Sequence, residues 1–462
     1  MARPISPTRR RVLASLSSGV LGAGALAACT PGGRRGRGRS RATTPPPTAS
    51  ERTAPTTPLI LGSIGSTFGA PGQFEGQISL AIEEAVRRVN VLAGGVFAQD
   101  VVLETRAVVE APGADVASQV EALAAAGVSV LISSLEDSQL LEAIPAAVEH
   151  QMLVLCPWSS SAAVRKDDAS NGMLFRLAPD DTALASLWVK AAMENAPEGT
   201  VPGTIAYVSP DTLQGRSLLA ELSEQAAPLG GTMVMETFYP ADEDLDVQAL
   251  AAQIAGAPPA LLVLNGGAEC GPLASAVHQA TLDAGGRAQQ AIPIRLGPNA
   301  SVDYRDASLP PESLEQAEGF EPGGPVGVDV GDGLTFEDMM LNLDTSLLRR
   351  GYAYSQQAFD AVLIACLAAR HALSVEGTAI AGSVPEVLSG TTECTDYGAC
   401  DRLLQDAEDQ GATGSIRYTG ASGPLELGGN RDVRAGQLRR ITWSAAAERI
   451  VEPDAISFEI PG

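Results

Sequence analysis

The feature that most constrains this chain is a sustained alternation. From Leu59 onward, short apolar runs take turns with amphipathic helical stretches. Strands are expected at Leu59–Ile64, Val101–Val108, Val128–Ile132 and Met152–Leu155, with helices over Glu75–Leu92, Asp115–Ala126 and Ser138–Glu149 between them. After Phe175-Arg176 the pattern restarts. Thr182–Asn195, Leu213–Pro228, Val247–Ile254 and Gly271–Ala284 are expected as helices, and Gly203–Val208, Thr232–Phe238, Ala260–Leu264 and Ile292–Leu296 as strands. These strand candidates are Val/Leu/Ile-rich without a period of two, the pattern of strands whose two faces are both covered by helices. The fold class is α/β, with a doubly wound architecture met twice. A helix from Tyr354 to Leu373 is apolar on most of its circumference and is expected to be buried. Residues 423–460 suggest short strands with Gly turns.

Charge is distributed unevenly. Residues 1–58 carry ten Arg and one Glu, whereas the rest carries 21 basic and 54 acidic groups, within a formal total of −24. A body that acidic repels phosphate backbones, which argues against nucleic-acid binding. At the N-terminus, Arg9-Arg10-Arg11 precedes a small and apolar run ending Leu26-Ala27-Ala28-Cys29, the plan of an export signal. Arg9-Arg10 with Val12-Leu13 resembles a twin-arginine signal, and an Arg-rich Sec signal fits the same residues. Leu26 to Cys29 resembles a bacterial lipobox, which implies a signal peptide over 1–29, a lipidated Cys29, and a protein exported and anchored to the outer face of the cell membrane by lipid alone. Residues 30–58, rich in Gly, Pro, Thr, Ser and Arg, are expected to be a disordered tether. Its Arg34 to Arg41 cluster either meets anionic headgroups or keeps the linker soluble.

No catalytic set emerges. His150, His278 and His371 stand far apart and outside any zinc-ligand spacing, and nucleophile-elbow, phosphate-loop and dinucleotide fingerprints do not occur. No enzyme, cofactor or metal is expected. A serine hydrolase built on Ser159 to Ser161 lacks a histidine partner in the sequence. Cys394 and Cys400 flank a short polar loop, where an oxidising compartment favours a local disulfide. Cys156 and Cys366 lie in apolar runs and suggest small core residues. Cys270, after Gly266-Gly267-Ala268-Glu269, is expected to be unpaired. The loops after two strands, Ser133 to Ser138 and Cys156 to Ser161, carry hydroxyls where open α/β sheets bind ligands; helix capping by Asp137, Ser138 and Ser159 to Ser161 is the alternative.

The ordered segments resemble type I periplasmic solute-binding proteins, in particular the branched-chain amino acid (Leu/Ile/Val-binding) class of ABC importers, in lipoprotein form. The resemblance rests on Gly62-Ser63-Ile64 through Phe74, Arg88-Val89-Asn90 with Ala93-Gly94-Gly95-Val96, and Val154-Leu155-Cys156-Pro157. It continues through Phe175-Arg176, Ile205 to Val208 with Gly215, Val263 to Gly267, Tyr354 to Ala369 and Gly423-Pro424-Leu425. It implies two lobes, 59–177 plus 325–412 and 178–324 plus 413–462, joined by a three-segment hinge near Leu177–Pro179, Gly319–Pro325 and Gly411–Gly420. A small amino-acid-like or other polar ligand would sit between them, and ABC permease subunits would be the partners. The family's cleft aromatic falls on Phe74. Its carboxylate-binding Ser falls on Asp137 or Ser138, and its next-strand donors on Trp158, Ser159 and Ser160. In the second lobe the family's pattern is broken. Gln214 stands where a Tyr is expected, Ala268 or Glu269 replaces a second Tyr, and Asn299 replaces the acid that pairs with an ammonium. Loss of that charge-assisted bond is worth about 1.5–3 kcal/mol, unless Glu269 supplies the charge. An envelope lipoprotein with a degenerate cleft, acting as a regulatory or docking protein, is the alternative function.

Overall fold

The computed structural model describes residues 53–166, 169–240, 245–287 and 290–460. The signal segment, Cys29 and most of the tether lie outside the described residues. The first half-sheet follows from the apolar runs: β1 (Ile60–Ser66), β2 (Val102–Leu103), β3 (Ala107–Val109), β4 (Val130–Ser134), β5 (Leu153–Cys156) and β6 (Leu174–Pro179). The order β2-β1-β4-β5-β6 is parallel throughout, and β3 also pairs with β1. A second parallel set has the order β11-β10-β9-β7-β8, from β7 (Thr204–Pro210), β8 (Thr232–Tyr239), β9 (Leu261–Leu264), β10 (Ile294–Leu296) and β11 (Ala317–Pro322). Helices cover both faces, as the uninterrupted burial of β4, β5 and β9 requires.

Helix Glu75–Ala93 shows how local sequence produces this layer. Ile78, Ala81, Ile82, Ala85, Val86 and Val89 form one buried stripe at helical spacing, and Gly94 ends the helix at φ 78°, a left-handed conformation that glycine adopts without strain. Helix Ser355–Ala372 is buried along Ser355 to Ala369 and packs between Glu75–Ala93 and Gly377–Ser389. It is a core element; among the described residues no single helix is long and apolar enough to cross a membrane.

The return toward the first half-sheet differs from the sequence expectation. The third crossover was expected near Gly411–Gly420, yet β13 (Ile416–Tyr418) pairs in parallel with β12 (Thr392–Cys394), and the Tyr418 hydroxyl donates to Asp360 in helix Ser355–Ala372 at 2.7 Å. Those contacts hold the segment against first-lobe elements. The link between half-sheets comes later. After β14 (Glu426–Leu427), the 12-residue β15 (Asp432–Trp443) pairs with β6 at Asp432 and Val433, and with β11 from Leu438 to Ile441. β16 (Arg449–Val451) and β17 (Ile456–Glu459) also pair with β15, completing a 15-stranded sheet. Cys394 and Cys400 form a disulfide, and Cys156, Cys270 and Cys366 are buried and free.

Candidate functional site

The segments after β1 and β5 and the turn into helix Ser355–Ala372 bring three aromatic rings together. Phe74 precedes helix Glu75–Ala93, Trp158 follows β5, and Tyr354 precedes helix Ser355–Ala372 at φ 64°. Their centroids lie 5.6 Å apart for Phe74–Trp158, 5.3 Å for Phe74–Tyr354 and 4.3 Å for Trp158–Tyr354. The Tyr354 hydroxyl donates to Asn299 Oδ1 at 2.9 Å, joining the loop after β10 to this cluster.

Beneath the rings lies a buried ionic network. Arg176 on β6 is fully buried. Its Nε and Nη2 donate to Asp432 at 2.7 and 2.6 Å, Nη2 also to Asp180 at 2.9 Å, and Nη1 to the Ser161 carbonyl at 2.5 Å and Ser159 Oγ at 3.4 Å. Arg165 donates to the same Asp432 at 2.6 Å. Burial works against ionisation of Asp432, but hydrogen bonds from Arg176 and Arg165 hold its carboxyl below the usual range. Asp137, the first residue of helix Asp137–Glu149, accepts a short hydrogen bond from Ser159 Oγ. Burial pushes its carboxyl upward despite that bond and despite Arg176.

From Ser160 a polar chain runs into the second lobe. Ser160 Oγ and Gln214 Nε2 donate to Asp181 Oδ1 at 2.9 and 3.1 Å. Asn265 Nδ2 donates to Gln214 Oε1 at 2.8 Å and to the Tyr207 hydroxyl at 3.1 Å. Tyr207 in turn donates to the Gly215 carbonyl at 2.6 Å. Asp181 is completely buried, and its Oδ2 has no hydrogen-bond partner among the described residues. Burial first, then the neighbouring Asp180 and Asp137, raise its carboxyl well above the usual range.

Of the residues singled out in the sequence, Phe74 and Trp158 share the ring cluster, Asn299 caps it, Asp137 and Ser159 pair, and Ser160 and Gln214 meet on Asp181. Ser138 is exposed. Glu269 instead faces its own lobe, where Oε1 accepts from the Gly267 N–H at 2.7 Å and from the Tyr239 hydroxyl. Sequence reasoning missed Asp180, Asp181, Asp432, Asn265 and the ring of Tyr354. A signal existed for Asp181: Asp180-Asp181 directly follows Pro179 at a predicted helix start. For Asp432 there was none, because its partner Arg176 is 256 residues away in the chain. Among the described residues no cluster of three or more His, Cys, Asp or Glu could hold a metal ion.

Residues 60–294 match the family model described as periplasmic binding protein. A leucine-binding protein from Thermotoga maritima superposes with a TM-score of 0.61 at 15% identity, covering 87% of this chain and 99% of its own. The branched-chain amino acid transporter substrate-binding protein of Streptococcus pneumoniae, solved with isoleucine, gives 0.62 at 14% identity over 87% and 100% of the two chains. A fatty acid ABC transporter substrate-binding protein from Thermomonospora curvata gives 0.58 at 12% identity over 87% and 92%. At these identities the likeness is one of fold. No curated protein matches the chain. With more than half its length inside that family model, and with a mostly parallel two-lobed α/β fold, the chain belongs to the periplasmic binding protein family, whose members bind solutes and are not enzymes.

Proposed function

We propose that this protein is the extracytoplasmic receptor of an ABC importer. It holds a small polar ligand, amino-acid-like or otherwise, between its two lobes and presents it to permease subunits. Cys29 is its lipid anchor and residues 30–58 its tether. The observation that carries this reading is the polar chain Ser160–Asp181–Gln214–Asn265, which crosses from the β5 loop into the second lobe and leaves the buried Asp181 Oδ2 without a hydrogen-bond partner among the described residues. A buried acceptor without a partner costs on the order of 1–3 kcal/mol, and a ligand donor removes that cost.

The test is thermal unfolding of the full chain carrying Cys29→Ala against amino acids, amides, small carboxylates, polyamines and sugars. A ligand at 100 times its Kd adds about 2.7 kcal/mol, about 3 °C for a folded body of this size. Anchoring is tested separately by incorporation of a labelled fatty acid, which Cys29→Ala abolishes. The second reading, an envelope lipoprotein that docks a protein partner, is favoured by one observation: the three rings touch one another and Tyr354 bonds Asn299, so the cluster satisfies itself. Silence across the whole panel selects that reading.

A further inference from the structure

The charges around Asp181 decide what kind of ligand can enter. Four buried carboxylates, Asp137, Asp180, Asp181 and Asp432, face two guanidiniums, Arg165 and Arg176. Neither guanidinium is available to an anion. All three nitrogens of Arg176 already donate to Asp432, Asp180, Ser159 Oγ or the Ser161 carbonyl, and Arg165 is committed to Asp432 and the Leu174 carbonyl. Acceptors are in surplus. Asp180 is filled by Arg176, the Thr182 N–H and the Thr182 hydroxyl, whereas Asp181 keeps one oxygen unpaired. A ligand carboxylate would find both guanidiniums taken and would set a further carboxylate beside Asp181, which Asp180 and Asp137 already crowd. A cationic donor would meet the buried, unpaired Asp181 Oδ2 and, across the Trp158-Ser159-Ser160 turn that bonds Asp137 and Asp181, an aromatic cluster whose faces attract positive charge.

We propose that the cleft takes a small organic monocation without a carboxylate, an alkylammonium or amidinium, its charged group on Asp181 Oδ2 and its apolar part against Phe74, Trp158 and Tyr354. This rests on the receptor reading above and narrows it.

Three compounds of matched shape separate the possibilities by titration calorimetry on the full chain carrying Cys29→Ala: 3-methylbutylamine, leucine and 4-methylpentanoate, with benzamidine as the amidinium. The amine or benzamidine is expected to bind at least tenfold tighter than leucine, with no detectable binding of the carboxylate. Asp181→Asn is expected to weaken the amine at least tenfold. The ranking in the unsubstituted cleft stands on its own if that variant does not fold. Tighter binding of leucine or 4-methylpentanoate overturns the inference and leaves the receptor intact, as does a response to sugars or amides alone. Silence of these probes and of the wider panel overturns both.

Discussion

Asp432 is the strongest single test of how the fold is held. Its Oδ1 accepts from Arg176 Nε at 2.7 Å and Arg165 Nη2 at 2.6 Å; its Oδ2 accepts from Arg176 Nη2 at 2.6 Å, Arg165 Nε at 3.0 Å and Asn430 Nδ2 at 3.0 Å. Asp432→Asn keeps the shape but turns an NH2 donor toward these donors and leaves Arg176, fully buried, with Asp180 as its remaining ion-pair partner among the described residues. Removing one partner of a buried pair costs about 3–5 kcal/mol. With an unfolding entropy of about 2.1 cal/mol/K per residue over roughly 400 residues, that corresponds to a Tm lower by about 4–6 °C. Differential scanning calorimetry measures it directly. The exposed pair Arg216–Asp211 is the control, since both side chains stand about half in solvent, and Asp211→Asn is expected to leave Tm unchanged. A fall of less than 1 °C for Asp432→Asn would refute the argument that charge, rather than apolar packing, secures β15 to β6.

Other outcomes follow from the same contacts. Asp181 and Asp137 have raised folded-state values, so the stability they contribute is full below about pH 4 and is lost as pH rises through those values. Tm should therefore rise between pH 7 and 5, and the rise should shrink in Asp137→Asn/Asp181→Asn. Asp432 has the opposite sign, contributing above about pH 4 and losing that contribution as pH falls through its lowered value, so Tm should drop again at strongly acid pH. Reduction of Cys394–Cys400, which closes a loop of sequence separation 6, should cost about 2 kcal/mol by loop-closure entropy, read as a lower urea midpoint. Tyr354→Phe deletes the hydroxyl that meets Asn299 and should cost about 1 kcal/mol while keeping the ring cluster. A side chain at Gly420 would collide with Asp360 Oδ1 and the Tyr418 hydroxyl, so Gly420→Ala should destabilise by about 1–3 kcal/mol and loosen β13 in hydrogen exchange.

Much of the fold was legible because its elements are long or continuously apolar. Helix Glu75–Ala93 and helix Ser355–Ala372 lie within a residue or two of the expected ranges, since their apolar spacing has the helical period. β2 and β3 merged in the sequence reading because Val101 to Val108 is apolar at both ends, whereas Glu104-Thr105-Arg106 interrupts it and only Val102–Leu103 and Ala107–Val109 pair with β1. The candidate site mixes residues that the sequence reading singled out with residues that it did not. Ser159 and Ser160 were singled out because they follow a strand, where open α/β sheets bind ligands, and Phe74 and Trp158 because the family resemblance places cleft groups there. Asp432 and Asn265 act through partners far away in the chain, and no local pattern encodes such a meeting. Asp181 was hidden for another reason: an Asp in the first helical turn ordinarily complements the helix dipole, and only its complete burial marks it as different.

β15 also fixes an order of events in biosynthesis. The ribosome releases β6 and β11 well before the strand that lies between them, and 256 residues separate Arg176 from Asp432. A nascent chain emerging N-terminus first thus carries two half-sheets with facing edges unpaired until β15 emerges. Unpaired edges of this kind are what holdase chaperones and export machinery can grip. The late strand therefore delays completion of the sheet until Asp432 to Trp443 has emerged, and truncation before Asp432 removes the strand that pairs with both β6 and β11.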